Sequence, residues 1–155
     1  MTAARAERRA AARPPRESRH RSREAALQML YQWEVGRLDM AAVNQTFWPL
    51  RADGEPATEE VQAFATRLAA GVVDTVATLD PMIAEAAEHW RLERLNVLDR
   101  LILRLAIYEL LHEPGTPSKV VINEALELAR TFSGDDAVRF VNGVLDAVRR
   151  RLERP

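Results

Sequence analysis

Three side chains in the last third of the chain share one helical face, because Asp136, Arg139 and Phe140 stand at i, i+3 and i+4. A carboxylate, a guanidinium and an aromatic ring grouped in this way suit hydrogen bonding to a base edge, phosphate contact and base stacking. The competing reading of Phe140 is an ordinary core ring. Just beyond, Asn142-Gly143 interrupts an otherwise helical period. A mid-helix glycine costs about 1 kcal/mol against alanine, so its presence points either to a close helix contact or to a ligand that needs backbone access. Near the other end of the chain Tyr31 lies one position off an apolar stripe. Its ring can lean on the core edge while its hydroxyl reaches solvent or RNA.

Catalytic groups do not converge in the same way. The chain has no cysteine nucleophile, no G-x-S-x-G, no phosphate-binding glycine loop and no H-E-x-x-H. His20, His89 and His112 stand at no metal-ligand spacing and read as surface or connector residues. The Asp135-Asp136 pair reads more simply as a helix cap than as a cation site. Neither an enzyme nor a cofactor or metal site is expected. With no cysteine there is no disulfide framework, which makes a reducing cytoplasm the natural location. No run of 18 apolar residues is present to span a membrane.

The overall formal charge of −1 hides a strong asymmetry. Met1 to Arg23 holds eight arginines against two glutamates, a formal +6, so the rest of the chain carries −7. A basic tail on an acidic body points to a polyanion partner. Thr2 to Ala26 contains no large aliphatic or aromatic residue and cannot bury enough surface to offset ordering entropy. The arm is therefore expected to be disordered when free. An organellar transit peptide needs an apolar helix face that this arm lacks. A solubilising tail is the plain alternative. The preferred reading is an arginine-rich segment that orders on RNA, since Arg19, Arg21 and Arg23 lead directly into a helix that can extend once phosphates neutralise them.

The elements that must position these groups are helical throughout. The 3.6-residue period predicts helices over Ser22 to Gly36 with Ser22 as cap, over Asp39 to Trp48, and over Thr58 to Leu79 with Thr58 as cap. After a restart at Asp80-Pro81 comes a shorter helix, Met82 to Trp90. Asn96 caps the next one, with Asp99 completing a partial capping box; it runs to His112 and is apolar enough to be the most buried in the protein. Pro117 opens a helix carrying Val121, Ala125, Leu128, Ala129 and Phe132 on one stripe. Ser133-Gly134 ends it, and Asp135 or Asp136 caps a last helix with Val138, Val141, Leu145, Val148 and Leu152 inward. Arg51 to Ala57 and Trp90 to Leu95 read as connectors. About seven helices and no alternating strand pattern make the class all-α, and 155 residues with 47% hydrophobic content make one real core.

Four segments, SREAALQMLYQWE, LDRLILRLAIYELL, PSKVVINEALELARTF and FVNGVLD, together resemble the NusB family of bacterial transcription antitermination factors over most of Arg19 to Val148. The resemblance implies two small helical sub-bundles, a domain over 19–155 preceded by the arginine-rich arm 1–18. It implies binding of the boxA element of nascent RNA jointly with the ribosomal protein NusE, as part of the antitermination complex on RNA polymerase. Carried onto this chain, the RNA contacts would be Arg19, Arg21 and Arg23, then Tyr31, then Asp136, Arg139, Phe140 and Asn142. This chain has Ala137 where the family often has serine, and His20 and Ser22 interrupt the basic run, so weaker RNA binding is expected. A NusB-like module also opens certain RNA cytosine methyltransferases, but 155 residues leave no room for a cofactor-binding domain after it, so that activity is not expected. The alternative from another class is a protein-only helical adaptor or homodimer, with Tyr31 and Phe140 buried against another chain.

Overall fold

The computed structural model describes residues 15–49, 56–88 and 95–154. Most of the arginine-rich arm, the loop around Gly54, and His89 with most of the connector after it lie outside the described residues. Six helices and no strand are found among the described residues.

Helix α1 (Pro15–Glu34) begins seven residues before the expected cap. Proline suits a first helical position because its missing N–H has no intrahelical acceptor there. Ser22 caps nothing. It is buried inside α1, with its hydroxyl 3.0 Å from the carbonyls of both Ser18 and Val61. Helix α2 (Met40–Phe47) starts where Asp39 accepts the Ala42 N–H at 2.8 Å, and α3 (Glu59–Ala86) where Thr58 accepts the Val61 N–H at 3.2 Å.

The expected restart at Asp80-Pro81 does not occur, and α3 runs through it. An interior proline removes one helical hydrogen bond and costs about 3 kcal/mol. Tertiary contacts override it here, since Leu79 and Ile83 are fully buried on either side and Asp80 accepts two hydrogen bonds from Arg104, at 2.8 and 2.9 Å. Two expected helices are therefore one, which is why six are found rather than seven.

Asn96 caps α4 (Val97–His112) through the Leu98 N–H at 2.8 Å. Asp99 does not complete a capping box; it accepts the Ser133 hydroxyl at 2.6 Å and ties the start of α4 to a distant corner. That corner joins α5 (Ser118–Phe132) to α6 (Asp135–Arg151). Its Gly134 has φ +128°, open in practice only to glycine. Neither Asp135 nor Asp136 caps α6; both lie in its first turn, where a carboxylate favours the positive end of the helix dipole.

Helices α1 to α3 form one bundle and α4 to α6 the other. Helix α4 is central, packing on α1, α3, α5 and α6, and from Leu101 through Ile107 every residue is buried. The expected stripes of α5 and α6 face this core, with Val121, Ala125, Leu128, Ala129, Val141, Leu145 and Val148 buried. The close helix approach, however, is not at Gly143. A Cβ on Gly143 would meet nothing within 4 Å, whereas one on Gly71 of α3 would overlap the Tyr108 ring of α4.

Gly71→Ala should therefore lower the unfolding free energy by about 1–3 kcal/mol through overpacking. Gly143→Ala should raise it by up to about 1 kcal/mol, because only helix propensity changes. Urea unfolding of the two variants checks the opposite signs.

Candidate nucleic-acid interface

The three arginines that head α1 have different fates. Arg23 is 3% exposed and is joined to Glu109 of α4, itself 2% exposed, by hydrogen bonds of 2.8 to 3.1 Å from Nε and Nη2. It is not available to a phosphate, so the expected RNA contact at Arg23 is corrected to a structural one. Burial raises the Glu109 pKa above its ordinary value even though Arg23 pulls the other way. The Arg19 guanidinium lies 3.7 Å from the centroid of the Phe64 ring, which fixes it by a cation–π contact. Arg21 is half-buried, and no group among the described residues takes up its guanidinium.

Arg21 also begins the open stripe of α1. Arg21, Glu24, Gln28, Tyr31, Gln32 and Val35 follow at helical spacing and are all half-buried or exposed. Tyr31 is 41% exposed. Beside it a cleft of about 540 Å³ opens between the two bundles, lined by Leu27, Gln28, Tyr31 and Gln32 of α1, Thr46 and Phe47 of α2, Leu98 of α4 and Phe132 of α5. The cleft brings Tyr31 to the α5–α6 corner, because Phe132 lies three residues before Asp135 and the Ser133–Asp99 bond holds that corner against Leu98.

On α6, Asp136, Arg139 and Asn142 are exposed and have no partner among the described residues. Phe140 is half-buried and packs against the core, so its ring is shared between interior and surface. Gly143 extends the face of Asp136, Arg139 and Phe140 by one turn and exposes bare backbone there. These α6 residues do not line the cleft; they flank it through the corner. Ala137 packs into the core, so a missing hydroxyl at that position changes the interior more than the open face.

A second tie crosses from α1 to α5. His20 Nδ1 lies 2.7 Å from Glu124 and Nε2 lies 2.9 Å from Glu24, so satisfying both carboxylates requires the imidazolium form. Burial alone would lower the His20 pKa. The hydrogen bond to Glu124 and the charges of Glu124 and Glu24 outweigh it, and the His20 pKa is raised above its ordinary value.

A family model described as the NusB family matches residues 20–150. The chain belongs to the NusB family. Among relatives, the transcription antitermination protein NusB of Solibacter usitatus is 47% identical over 139 residues, covering 89% of this chain and 92% of that one. That of Koribacter versatilis is 47% identical over 136 residues, covering 88% and 91%. A NusB structure from T. maritima is 33% identical with a TM-score of 0.75, covering 89% of this chain and 92% of that one. The fold is also shared with the structure of antitermination factors NusB and NusE in complex with dsRNA, at 22% identity, a TM-score of 0.75 and coverage of 87% and 98%.

Within this NusB-family chain, sequence reasoning passed over Gln28 and Gln32. The signal was present, because Gln28, Tyr31 and Gln32 stand at i, i+3 and i+4 just as Asp136, Arg139 and Phe140 do.

Two outcomes follow from the buried charges. Arg23→Met should cost about 3–5 kcal/mol by stranding Glu109, while Arg23→Met with Glu109→Leu should recover most of that; equal losses on denaturant unfolding would contradict the pairing. Folding raises the His20 pKa, so its stabilisation is full below 6.5 and is lost as pH rises through the folded value. The stability gap between wild type and His20→Gln should therefore be larger at about pH 5.5 than at about pH 8.5.

Proposed function

We propose that this chain is an antitermination factor that holds the boxA element of nascent RNA together with ribosomal protein NusE and joins the RNA polymerase antitermination complex. It acts in the cytoplasm by binding, without catalysis. Its relatives carry the name transcription antitermination protein, and no helix among the described residues is long and apolar enough to cross a membrane. The observation that carries the reading is the set of groups the fold leaves without partners among the described residues: Arg21 on α1, which also carries the exposed Tyr31, and Asp136, Arg139 and Asn142 on α6.

The division of labour follows from chemistry. Arginines of the arm, with Arg19 and Arg21, neutralise phosphates and set the salt dependence. Tyr31 and the open part of Phe140 stack on unpaired bases. Asp136 accepts from an exocyclic amine and repels a misplaced phosphate, while Arg139 and Asn142 hold the strand beyond it. The acidic body attracts a basic ribosomal protein. A homodimer is the second reading, favoured by the exposure of Tyr31, Val35 and Leu38 near one another in sequence.

A boxA-like RNA should bind more tightly than a scrambled one, with affinity falling linearly in log salt. Arg21→Ala should reduce that slope by about 0.7–0.9, the share of one phosphate. Gly143→Ala should weaken RNA binding without destabilising the fold, since its methyl meets nothing inside the protein. Equal affinity for both RNAs, or binding indifferent to salt, would reject the reading in favour of the protein-only one.

A further inference from the structure

The cleft beside Tyr31 has a composition that its position alone does not require. Its floor is apolar, with Leu27 and Phe47 buried and Leu98 and Phe132 half-buried. Its α1 wall carries the carboxamides of Gln28 and Gln32, both half-buried and neither hydrogen-bonded to any group among the described residues. Thr46 stands on the α2 side, and its hydroxyl already donates to the Ala42 carbonyl at 3.2 Å, which leaves its lone pairs to accept. At about 540 Å³ the space falls within the range of about 300–1,000 Å³ usual for small-molecule sites.

These features restrict the occupant. A purely apolar surface, such as a hydrophobic helix of another protein, would cover two carboxamides and leave their donors and acceptors unpaired, at the full desolvation penalty of each. A charged group would meet no counter-ion, since no residue lining the cleft is charged. A flat heteroaromatic ring with donors and acceptors along one edge satisfies both walls together. Carboxamides read such edges bidentately, and unpaired RNA bases are recognised by splaying them onto aromatic side chains with their edges hydrogen-bonded. The open stripe of α1 supplies the approach, because Arg21 stands two turns, about 10 Å, before Gln28 on the same face.

The geometry points to this cleft as the pocket for one splayed-out base of the bound RNA, with its edge read by Gln28 and Gln32, an amine accepted by Thr46 and its ring faced by Tyr31. The inference rests on the RNA-binding role proposed above and adds where sequence is read. Gln28 and Gln32 are then specificity-determining residues, distinct from the arginines that supply general affinity.

An abasic scan tests it. A boxA-like oligoribonucleotide, replaced at one nucleotide at a time by an abasic residue, is titrated against the full chain and against the Gln28→Ala/Gln32→Ala variant, with thermal unfolding run on both. In the wild type, one abasic position should weaken binding by about tenfold or more, the scale of a bidentate base contact. In the variant the intact RNA should bind about that much more weakly, and the penalty at that position should shrink to within about twofold, while other positions and the unfolding midpoint stay unchanged. An unaltered abasic profile in the variant would overturn the pocket and leave RNA binding standing. Loss of self-association in the variant, with an unaltered profile, would assign the cleft to a second copy. A wild-type chain that binds no RNA above a scrambled control would remove the proposed function and the pocket with it.

Discussion

The Arg23–Glu109 pair joins the first helix to the central one where neither charge reaches water, and the placement of every open group on α1 follows from it. Two charges buried together are costly to desolvate, and such a pair adds little net stability over a well-packed apolar one. What it imposes is register. With 3.6 residues per turn, a slip of one residue would swing Arg23 by about 100° away from its carboxylate. With Arg23 fixed against α4, Arg21 and Tyr31 are turned outward and Ala26 and Leu30 inward. One arginine is thus spent internally so that the neighbour two residues earlier is presented at the surface.

The far end of the α1–α4 contact repeats the device with looser geometry. Glu34 at the end of α1 pairs with Arg100 at 2.8 Å and lies 3.6 Å from Arg104, and Arg104 in turn holds Asp80 of α3. Pairing Arg23 with Glu109 and Glu34 with Arg100 is possible only if α1 and α4 run antiparallel. The Asp80 bond lies beside Pro81, where α3 lacks a backbone hydrogen bond, so the same arginine that ties the two bundles also supports the weak point of the longest helix. Helix α4 therefore acts as the common reference for α1, α3 and the α5–α6 corner. The cleft is the space left between α1 and α2 on one side and the start of α4 with the end of α5 on the other.

This arrangement explains what the sequence made legible. Burial period and capping chemistry are local, so the helices, the Thr58 and Asn96 caps and the inward stripes of α5 and α6 could be read directly. Pairing across helices is not local. Arg19, Arg21 and Arg23 look alike in a basic run, and only the presence of Glu109 and Phe64 on other helices separates a buried strut and a stacked guanidinium from a free one. Pro81 looks like a break because the contacts that override it come from α4. Gly143 looks like a packing glycine because it interrupts a helical apolar stripe, yet the tight approach is at Gly71, which nothing in the local pattern distinguishes. Of the candidate site, the exposure of the α6 face and of Tyr31 was legible, whereas the cleft beside Tyr31 required α1, α2, α4 and α5 together.

His20 shows how closely frame and open surface are joined. It sits between Arg19 and Arg21, yet its imidazole is committed to Glu24 and Glu124, and through Glu124 it links α1 directly to α5. The negative charge of Glu124 also reaches Glu109, so the Arg23 pair and the His20 tie belong to one electrostatic unit. A polyanion drawn to Arg21 approaches within a turn of this unit and favours a protonated His20 through the added negative potential.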